Sequence, residues 1–270
     1  MVAYFRLQNN LFMAAGAALG ALIAVAVVAG GLYSGTMALV PFLVGMCAIA
    51  GVVLGRLFAS AWAGRKLNRI KSILYTDNDP AGFLEVFLPI ARKVPVQTVE
   101  HVDAKTRIAY AYEILGEFDK GLDAMADLKP EGLRVHSMQG TALMVNQRMR
   151  LQLLKGDAEA ARREIDRLTE LQAAADALAP TLGKQIAECV KLGTAWLHIL
   201  QDEDADLAYI REEIELAKNK MHRAEMLWLL GQGLRNEGNL DEAGDCFVDA
   251  SHTLPGLYAS EQAKLALASL

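Results

Sequence analysis

The sequence has few of the residues that build disulfide or metal sites. It has three cysteines in 270 residues, at positions 47, 189 and 246, and no Cys-x-x-Cys pair. The five histidines include no pair four residues apart. Neither a disulfide framework nor a zinc site is predicted. We therefore expect no metal and no cofactor.

Charge is absent from a long N-terminal stretch, since no charged residue lies between Arg6 and Arg56. Two apolar runs occupy it, at about 11–33 and 37–59, with a turn-like Ser-Gly-Thr at 34–36 between them. Each run has at least the roughly 20 residues that a helix needs to cross a membrane. The stretch therefore predicts a transmembrane hairpin. A cleaved signal peptide is the alternative for the first run, and the second run spans the membrane in either case.

Small residues recur at every fourth position of both runs, including Gly16 and Gly20 in the first and Gly51 and Gly55 in the second. In lipid, helices associate through the close backbone approach that such residues permit. We expect these glycines to pack the two spans against each other. The alternative is that one of these faces joins two copies of the chain into a homo-oligomer.

Basic residues cluster directly after the second run, between Arg56 and Lys71. By the positive-inside rule, both termini face the cytoplasm. This predicts a multi-pass protein of the cytoplasmic (inner) membrane, with its C-terminal part in the cytoplasm.

The rest of the chain is acidic. Six of the 27 basic residues and none of the 32 acidic residues precede Ser72, so residues 72–270 carry a net charge of −11. Nucleic-acid binding needs a basic face, so no nucleic-acid partner is predicted.

Three glycines near the C-terminus, Gly231, Gly233 and Gly238, resemble part of a phosphate-binding loop. Such a loop needs a Lys after its last glycine, and Asn239 stands there instead. We therefore interpret the glycines as structural: Gly231 at a helix contact, Gly238 in a turn and Gly233 on the helix surface.

A six-residue pattern recurs along the acidic part: Gly, any residue, apolar, acid, any residue, small. Copies begin at Gly116, Gly156 and Gly238, and a copy at Glu203 lacks only the glycine. A glycine that ends one helix and an acid in the first turn of the next predict helix–turn–helix units. Repeats of this spacing are typical of solenoids.

With these units, the chain resembles the tetratricopeptide repeat (TPR) family over about Val99–Leu270. The C-terminal copy is the best match, through Leu230, Gly231, Leu234, Gly238, Leu240, Ala243, Phe247, Ala250 and Pro255. Together, the apolar runs and the resemblance predict an all-α fold. It comprises a two-helix transmembrane hairpin at 1–63, a helical adaptor at 64–98 and, as the resemblance implies, a TPR-like α-solenoid at 99–270. We expect a helix start at Asp79-Pro80 and a capping helix from about Leu257.

No catalytic constellation is present, so we predict a non-enzyme with no catalytic residues. The resemblance implies a concave groove that binds other proteins or peptide segments, and hence a membrane-anchored adaptor or scaffold. The alternatives are a structural subunit of an envelope assembly, of the secretion or pilus type, and a regulatory adaptor for protein turnover. Residues placed in the groove by the family frame are Thr106, Tyr110, Glu113, Asn146, Arg150, Trp228, Gln232, Arg235 and Asn236.

Overall fold

The computed structural model describes residues 6–34, 40–96, 98–129 and 138–270. Within these ranges every regular element is a helix, which confirms the all-α class. The twelve helices are α1 (Arg6–Ser34), α2 (Val40–Tyr75), α3 (Pro80–Ala91), α4 (Val99–Ile114), α5 (Phe118–Ala124), α6 (Met138–Lys155), α7 (Ala158–Leu178), α8 (Pro180–Leu200), α9 (Leu207–Leu216), α10 (Lys220–Asn236), α11 (Leu240–Thr253) and α12 (Tyr258–Leu267). The predicted turn at 35–36 lies outside the described residues.

The chain divides into two compact units. One comprises Met1–Ser72 with Pro89–Pro95, and the other comprises Ile73–Leu88 with Val96–Leu270. The predicted boundary between residues 63 and 64 falls inside α2, which continues without a break to Tyr75.

In the first unit, α1 and α2 each contain a stretch long and apolar enough to cross a membrane. Glycines form their contact. A Cβ atom added at Gly20 would lie 2.7 Å from the carbonyl oxygen of Cys47, and one at Gly55 would lie 2.7 Å from that of Phe12. Such distances are too short for any side chain, so the two backbones touch at these glycines.

Gly16 and Gly51 lie at the same crossing. A Cβ atom on Gly16 would overlap the carbonyl oxygen of Gly51, and one on Gly51 would lie 2.5 Å from the carbonyl oxygen of Gly16. By contrast, Gly30 and Gly45 have no atom within 4 Å of such a Cβ. The structure thus brings the four predicted packing glycines together.

In the second unit, each helix packs on its sequence neighbour from α4 to α12. These helices form four pairs, α4–α5, α6–α7, α8–α9 and α10–α11, called the helical pairs below. The first helix of each pair also contacts the first helix of the next pair. The last helix, α12, contacts both α10 and α4. Apolar side chains fill the interior, and the largest fully buried ones include Trp196, Phe247, Met144 and Met149.

Left-handed glycines end three of these helices. Gly116, Gly156 and Gly238 have φ between 75° and 80°, a conformation that costs other residues about 1–2 kcal/mol. At the last of these turns, the N–H of Gly238 donates to the carbonyl of Arg235, and the N–H of Asn239 donates to the carbonyl of Leu234. The same two bonds form at the other two glycines. This is the Schellman geometry.

The fourth copy is shifted from its predicted register. The left-handed residue is Asp202, with φ of 55°, rather than Glu203. The N–H of Asp202 donates to the carbonyl of Ile199, and that of Glu203 donates to the carbonyl of His198, as in the other three turns. Asp206 then caps α9, since its carboxylate accepts from the N–H of Tyr209 at 3.0 Å. An acid therefore replaces glycine here, and the connection to the next helix is longer.

The expectation that Gly233 lies on the helix surface is wrong. A Cβ atom there would lie 2.5 Å from Cδ2 of Leu207, because this face of α10 packs against α8 and α9. Gly231 does lie at a helix contact, where a Cβ atom would be 2.5 Å from the ring of Phe247.

The two remaining helix expectations agree with the structure. Asp79 caps α3 through a 2.8 Å hydrogen bond from the N–H of Gly82, and the helix begins at Pro80. The C-terminal helix α12 begins at Tyr258.

Candidate functional site

Charged side chains from three helices meet inside the second unit. Glu113 of α4, Arg150 of α6 and Glu225 of α10 lie 37 and 75 residues apart along the chain. Glu113 is 3% exposed and Glu225 is 8% exposed. With Gln147 and His222, they are called the charge cluster below.

Helix periodicity brings these groups together. Residues three apart share a helix face, which pairs Tyr110 with Glu113, Gln147 with Arg150, and His222 with Glu225. Because α4 packs on α6 and α12 joins α10 to α4, these three faces point toward one another.

Arg150 is the centre of the charge cluster. Its Nη2 donates to Oε1 of Glu113 at 2.6 Å and to both carboxylate oxygens of Glu225 at 2.7 Å. Its Nε donates to Glu113 at 3.2 Å, and Gln147 donates to the other Glu113 oxygen. One guanidinium therefore bridges two carboxylates.

Histidine extends the cluster toward α9. Nδ1 of His222 lies 3.8 Å from Glu225, and Nε2 lies 3.3 Å from Glu213. Hydrogen bonding to Glu225 raises the pKa of His222 above its ordinary value, although burial opposes this. The histidine therefore holds a proton more tightly than it would in water.

The two buried carboxylates differ in their affinity for protons. Burial raises the pKa of Glu113, and the opposing attraction of Arg150 does not offset it. Burial also acts to raise the pKa of Glu225, but Arg150 and His222 outweigh it, so this pKa is lowered. A proton therefore binds more readily to Glu113 than to Glu225.

Aromatic rings surround the charge cluster. Trp228 makes edge-to-face contacts with Trp196 and Tyr258, with centroids 6.2 and 6.1 Å apart. The guanidinium of Arg150 lies 5.7 Å from the Trp196 ring centre, within range of a cation–π interaction. Tyr110 stacks on Tyr75 at 5.9 Å.

Two cavities adjoin at Tyr110 and Arg150. The larger, of about 340 Å³, is called the polar cleft. It is lined by Tyr75, Asp103, Thr106, Arg107, Tyr110, Leu143, Asn146, Gln147, Arg150 and His222. The smaller, of about 30 Å³, is called the aromatic pocket. Its walls include Tyr110, Glu113, Arg150, Glu225, Trp228 and Tyr258.

The rim of the polar cleft is held by Arg107. Its guanidinium donates to both oxygens of Asp103, at 3.0 and 2.7 Å, and to the hydroxyl of Tyr75 at 2.9 Å. These bonds tie Tyr75 to α4. The rim of the cleft therefore carries donors, acceptors and aromatic rings.

The structure gathers most of the predicted groove residues at these two cavities. Tyr110 and Arg150 line both of them, Thr106 and Asn146 line the polar cleft, and Glu113 and Trp228 line the aromatic pocket.

Three predicted groove residues lie elsewhere. Arg235 donates to Gln232 on the same helix, and Asn236 donates to the carbonyl of Ile199 at the end of α8. At a rise of 1.5 Å per residue, these positions are roughly 10–16 Å further along α10 than Glu225. They therefore cannot reach the charge cluster.

Sequence reasoning missed Glu225, His222, Gln147 and Tyr258. The available signal was Glu225, a carboxylate inside the apolar run of α10, because an ionisable group among buried residues needs a partner. Its partner Arg150 is 75 residues away, and only the packing of the helices reveals the pairing.

No protein-family model, curated protein or solved structure matches this chain.

Proposed function

We propose that this protein is a membrane-anchored adaptor that holds a segment of a partner protein in the polar cleft. The observation that carries the proposal is the cleft itself, about 340 Å³ in volume and lined by Tyr75 at the end of α2 and by side chains of α4, α6 and α10. It offers tyrosine rings and arginines, which are enriched in protein-binding hot spots, together with side-chain amides.

The helical pairs support a TPR-like solenoid as the scaffold. Three of four pairs are joined by a left-handed glycine with the same closing hydrogen bonds. The first helices of the pairs contact one another in order. A repeated unit of this kind presents side chains from successive first helices on one surface, which suits an extended peptide.

The anchor in this proposal is the hairpin of α1 and α2. Its apolar side chains are largely exposed, as in Leu22 and Phe42 at 68% each, and a bilayer would cover them. By the positive-inside rule, the basic residues after the second apolar run favour a cytoplasmic location for the helical pairs. Protease added outside intact cells should therefore leave them uncut, whereas digestion of α6 or α7 would contradict this orientation.

The test of partner binding is crosslinking and mass spectrometry on native membranes. Leu143 is 43% exposed on the cleft wall, so Leu143→Arg should block the cleft without disturbing the core. Arg235→Glu is the control, because that side chain lies away from both cavities. We expect the first variant to lose a partner that wild type and the control retain. Equal crosslinks in all three would refute the proposal.

A hairpin exchange separates this function from that of a structural membrane subunit. An unrelated two-helix anchor in place of residues 1–72 should leave partner crosslinking intact, because every residue that lines the cleft, including Tyr75 at the end of α2, is then retained. Loss of the partner in this chimera, with the helical pairs still folded, would favour the subunit.

A further inference from the structure

All the charge of the first compact unit is positive. The eight charged residues of Met1–Ser72 and Pro89–Pro95 are arginines or lysines, and all of the chain's 32 acidic residues belong to the other unit. With the remaining 19 of the 27 basic residues, that unit carries a net charge of −13. The first unit therefore contains no acidic side chain to neutralise its cations.

Six of these cations follow the second apolar run and are called the basic collar below. The collar comprises Arg65, Lys66, Arg69, Lys71, Arg92 and Lys93. All of them are exposed except Lys71, which is half-buried. The opposite face of α2 is buried, since Ala63, Leu67 and Ile70 are at most 5% exposed. With 3.6 residues in each helical turn, Arg65 and Arg69 point away from that face. The collar is therefore an outer surface of the unit.

A ring contact between α1 and α2 marks where the two helices leave the core of a bilayer. The rings of Phe12 and Trp62 lie 5.7 Å apart, and Nζ of Lys66 lies 5.0 Å from the Trp62 ring centre. Phe12 lies at the start of the first apolar run, and tryptophan is enriched at membrane–water interfaces. In a bilayer, this contact therefore lies at the edge of the hydrocarbon core.

Helix geometry then gives the depth of the collar. At a rise of 1.5 Å per residue, its members on α2 lie roughly 5–14 Å beyond Trp62 along the helix axis. The headgroup layer is about 5–8 Å thick on each side of a bilayer, and charges act over a further Debye length of about 8 Å. These cations therefore lie at the depth of the lipid phosphates.

We propose that the basic collar binds the headgroups of anionic phospholipids and keeps a shell of these lipids around the hairpin. Zwitterionic headgroups also contain a phosphate, but their own ammonium group cancels its charge, so the collar discriminates against them. Clusters of about four to eight basic residues directly after a membrane span are typical of such sites. The inference rests on the membrane anchor in the proposed function and not on the polar cleft.

The competing explanation is that these cations only fix the topology during insertion. The two explanations differ in the finished protein, because a topology signal needs no preference for one lipid over another. The test is therefore the lipid selectivity of the full chain in bilayers of phosphatidylcholine and phosphatidylglycerol. Trace spin-labelled lipids with either headgroup report, by electron paramagnetic resonance, how much of each the protein immobilises.

A matched pair of triple variants identifies the collar. The collar variant carries Arg65→Gln, Lys66→Gln and Arg69→Gln. The control variant carries the same change of charge on exposed residues of the second unit, through Arg163→Gln, Lys184→Gln and Lys218→Gln. The proteins are purified and then reconstituted, so an effect of the substitutions on insertion in the cell does not enter the comparison.

We expect phosphatidylglycerol to associate with wild type and the control variant at least about threefold more strongly than phosphatidylcholine at low salt. The collar variant should lose about half of this preference or more. Wild type should lose it in about 1 M salt, where the Debye length is about 3 Å. Equal selectivity in all three proteins, or no preference in wild type, would overturn the proposal. The wild-type measurements need no variant, so misfolding of a variant leaves the proposal testable.

A soluble headgroup separates lipid from free phosphate. Glycerophosphoglycerol at millimolar concentration should leave the selectivity unchanged, because exposed charges attract a soluble anion only weakly. Loss of the selectivity in its presence would assign the collar to a soluble phosphate compound and refute the lipid assignment.

Alkaline extraction of the same vesicles separates this inference from the proposed function. Release of wild type from the bilayer would refute the membrane anchor. Retention in the bilayer without a preference for phosphatidylglycerol would refute the basic collar alone.

Discussion

The hairpin and the helical pairs use glycine and charge in opposite ways. In the hairpin, glycines such as Gly16 and Gly51 lie inside helices, where the two backbones touch. In the helical pairs, glycines such as Gly116 and Gly238 end helices with positive φ. No charge lies between Arg6 and Arg56, whereas the second unit buries Arg150 between two carboxylates.

The difference follows from the force available in each region. Apolar burial does not drive helices together in lipid, so close backbone contact is the remaining source of packing energy. The helical pairs bury a large apolar interior, which can accommodate the desolvation cost of a buried ion cluster. Such clusters add little net stability, which is consistent with the binding role proposed above.

The largest effect should come from removing the central cation. Arg150→Met leaves two buried carboxylates without the cation that they share, and we expect a loss of about 3–5 kcal/mol in the free energy of unfolding. Denaturant unfolding of the second unit measures this. Arg163→Met, which removes an exposed pair with Glu159, should cost less than about 0.5 kcal/mol.

The neutral triple variant sharpens this result. Glu113→Gln, Arg150→Met and Glu225→Gln together leave no unpaired charge, so most of the stability should return. A triple variant as unstable as the single one would show that the cluster holds the fold by itself, and the binding explanation would lose its basis.

A bulky residue at the helix crossing tests the hairpin. Gly16→Leu would force a side chain into the backbone of Gly51, and overpacking of this kind costs about 1–3 kcal/mol. Gly45→Leu is the matched control, because its Cβ would meet no atom within 4 Å. Helix separation, measured between spin labels on α1 and α2, should increase only in the first variant.

Substitutions at two turn glycines allow the cost of backbone strain to be measured apart from the cost of a packing clash. Gly116→Ala and Gly238→Ala should each cost about 1–2 kcal/mol, because both residues have positive φ. At Gly116 the new Cβ would also lie 2.7 Å from the ring of Tyr258, while at Gly238 it meets nothing within 4 Å. Gly116→Ala should therefore cost about 1 kcal/mol more. Equal losses in the free energy of unfolding would mean that the Tyr258 ring moves aside at no measurable cost.

The smallest effect concerns pH. The pKa of His222 is raised in the folded chain, so its contribution to stability is complete below the unfolded-state value near 6.5 and is lost as pH rises through the folded-state value. His222→Gln should therefore cost on the order of 1 kcal/mol at pH about 6 and less at pH about 9. A greater cost at high pH would contradict the pairing with Glu225.

Local rules predicted the helices well. The pattern at Gly116, Gly156 and Gly238 correctly indicated where one helix ends and the next begins, because a left-handed turn needs only nearby residues. Asp202 was missed because positive φ is uncommon in any residue other than glycine, and without a glycine the pattern was aligned on Glu203.

Contacts between distant segments were harder to predict. Gly233 was assigned to the surface, although α8 and α9 cover it. Arg235 and Asn236 were assigned to the groove from a family frame, yet they lie too far along α10. Glu225 was missed because its role depends on the packing of α4, α6 and α10 around one point, which no short pattern encodes.

The most direct test of the account is site-specific photocrosslinking from the cleft wall. A photoreactive phenylalanine analogue replaces Leu143 in the polar cleft or, as control, Asp166 on the exposed face of α7. The account predicts a discrete adduct from position 143 in native membranes, with its site mapped to one segment of one partner, and none from position 166. Adducts that are the same from both positions, or absent from position 143, would contradict it.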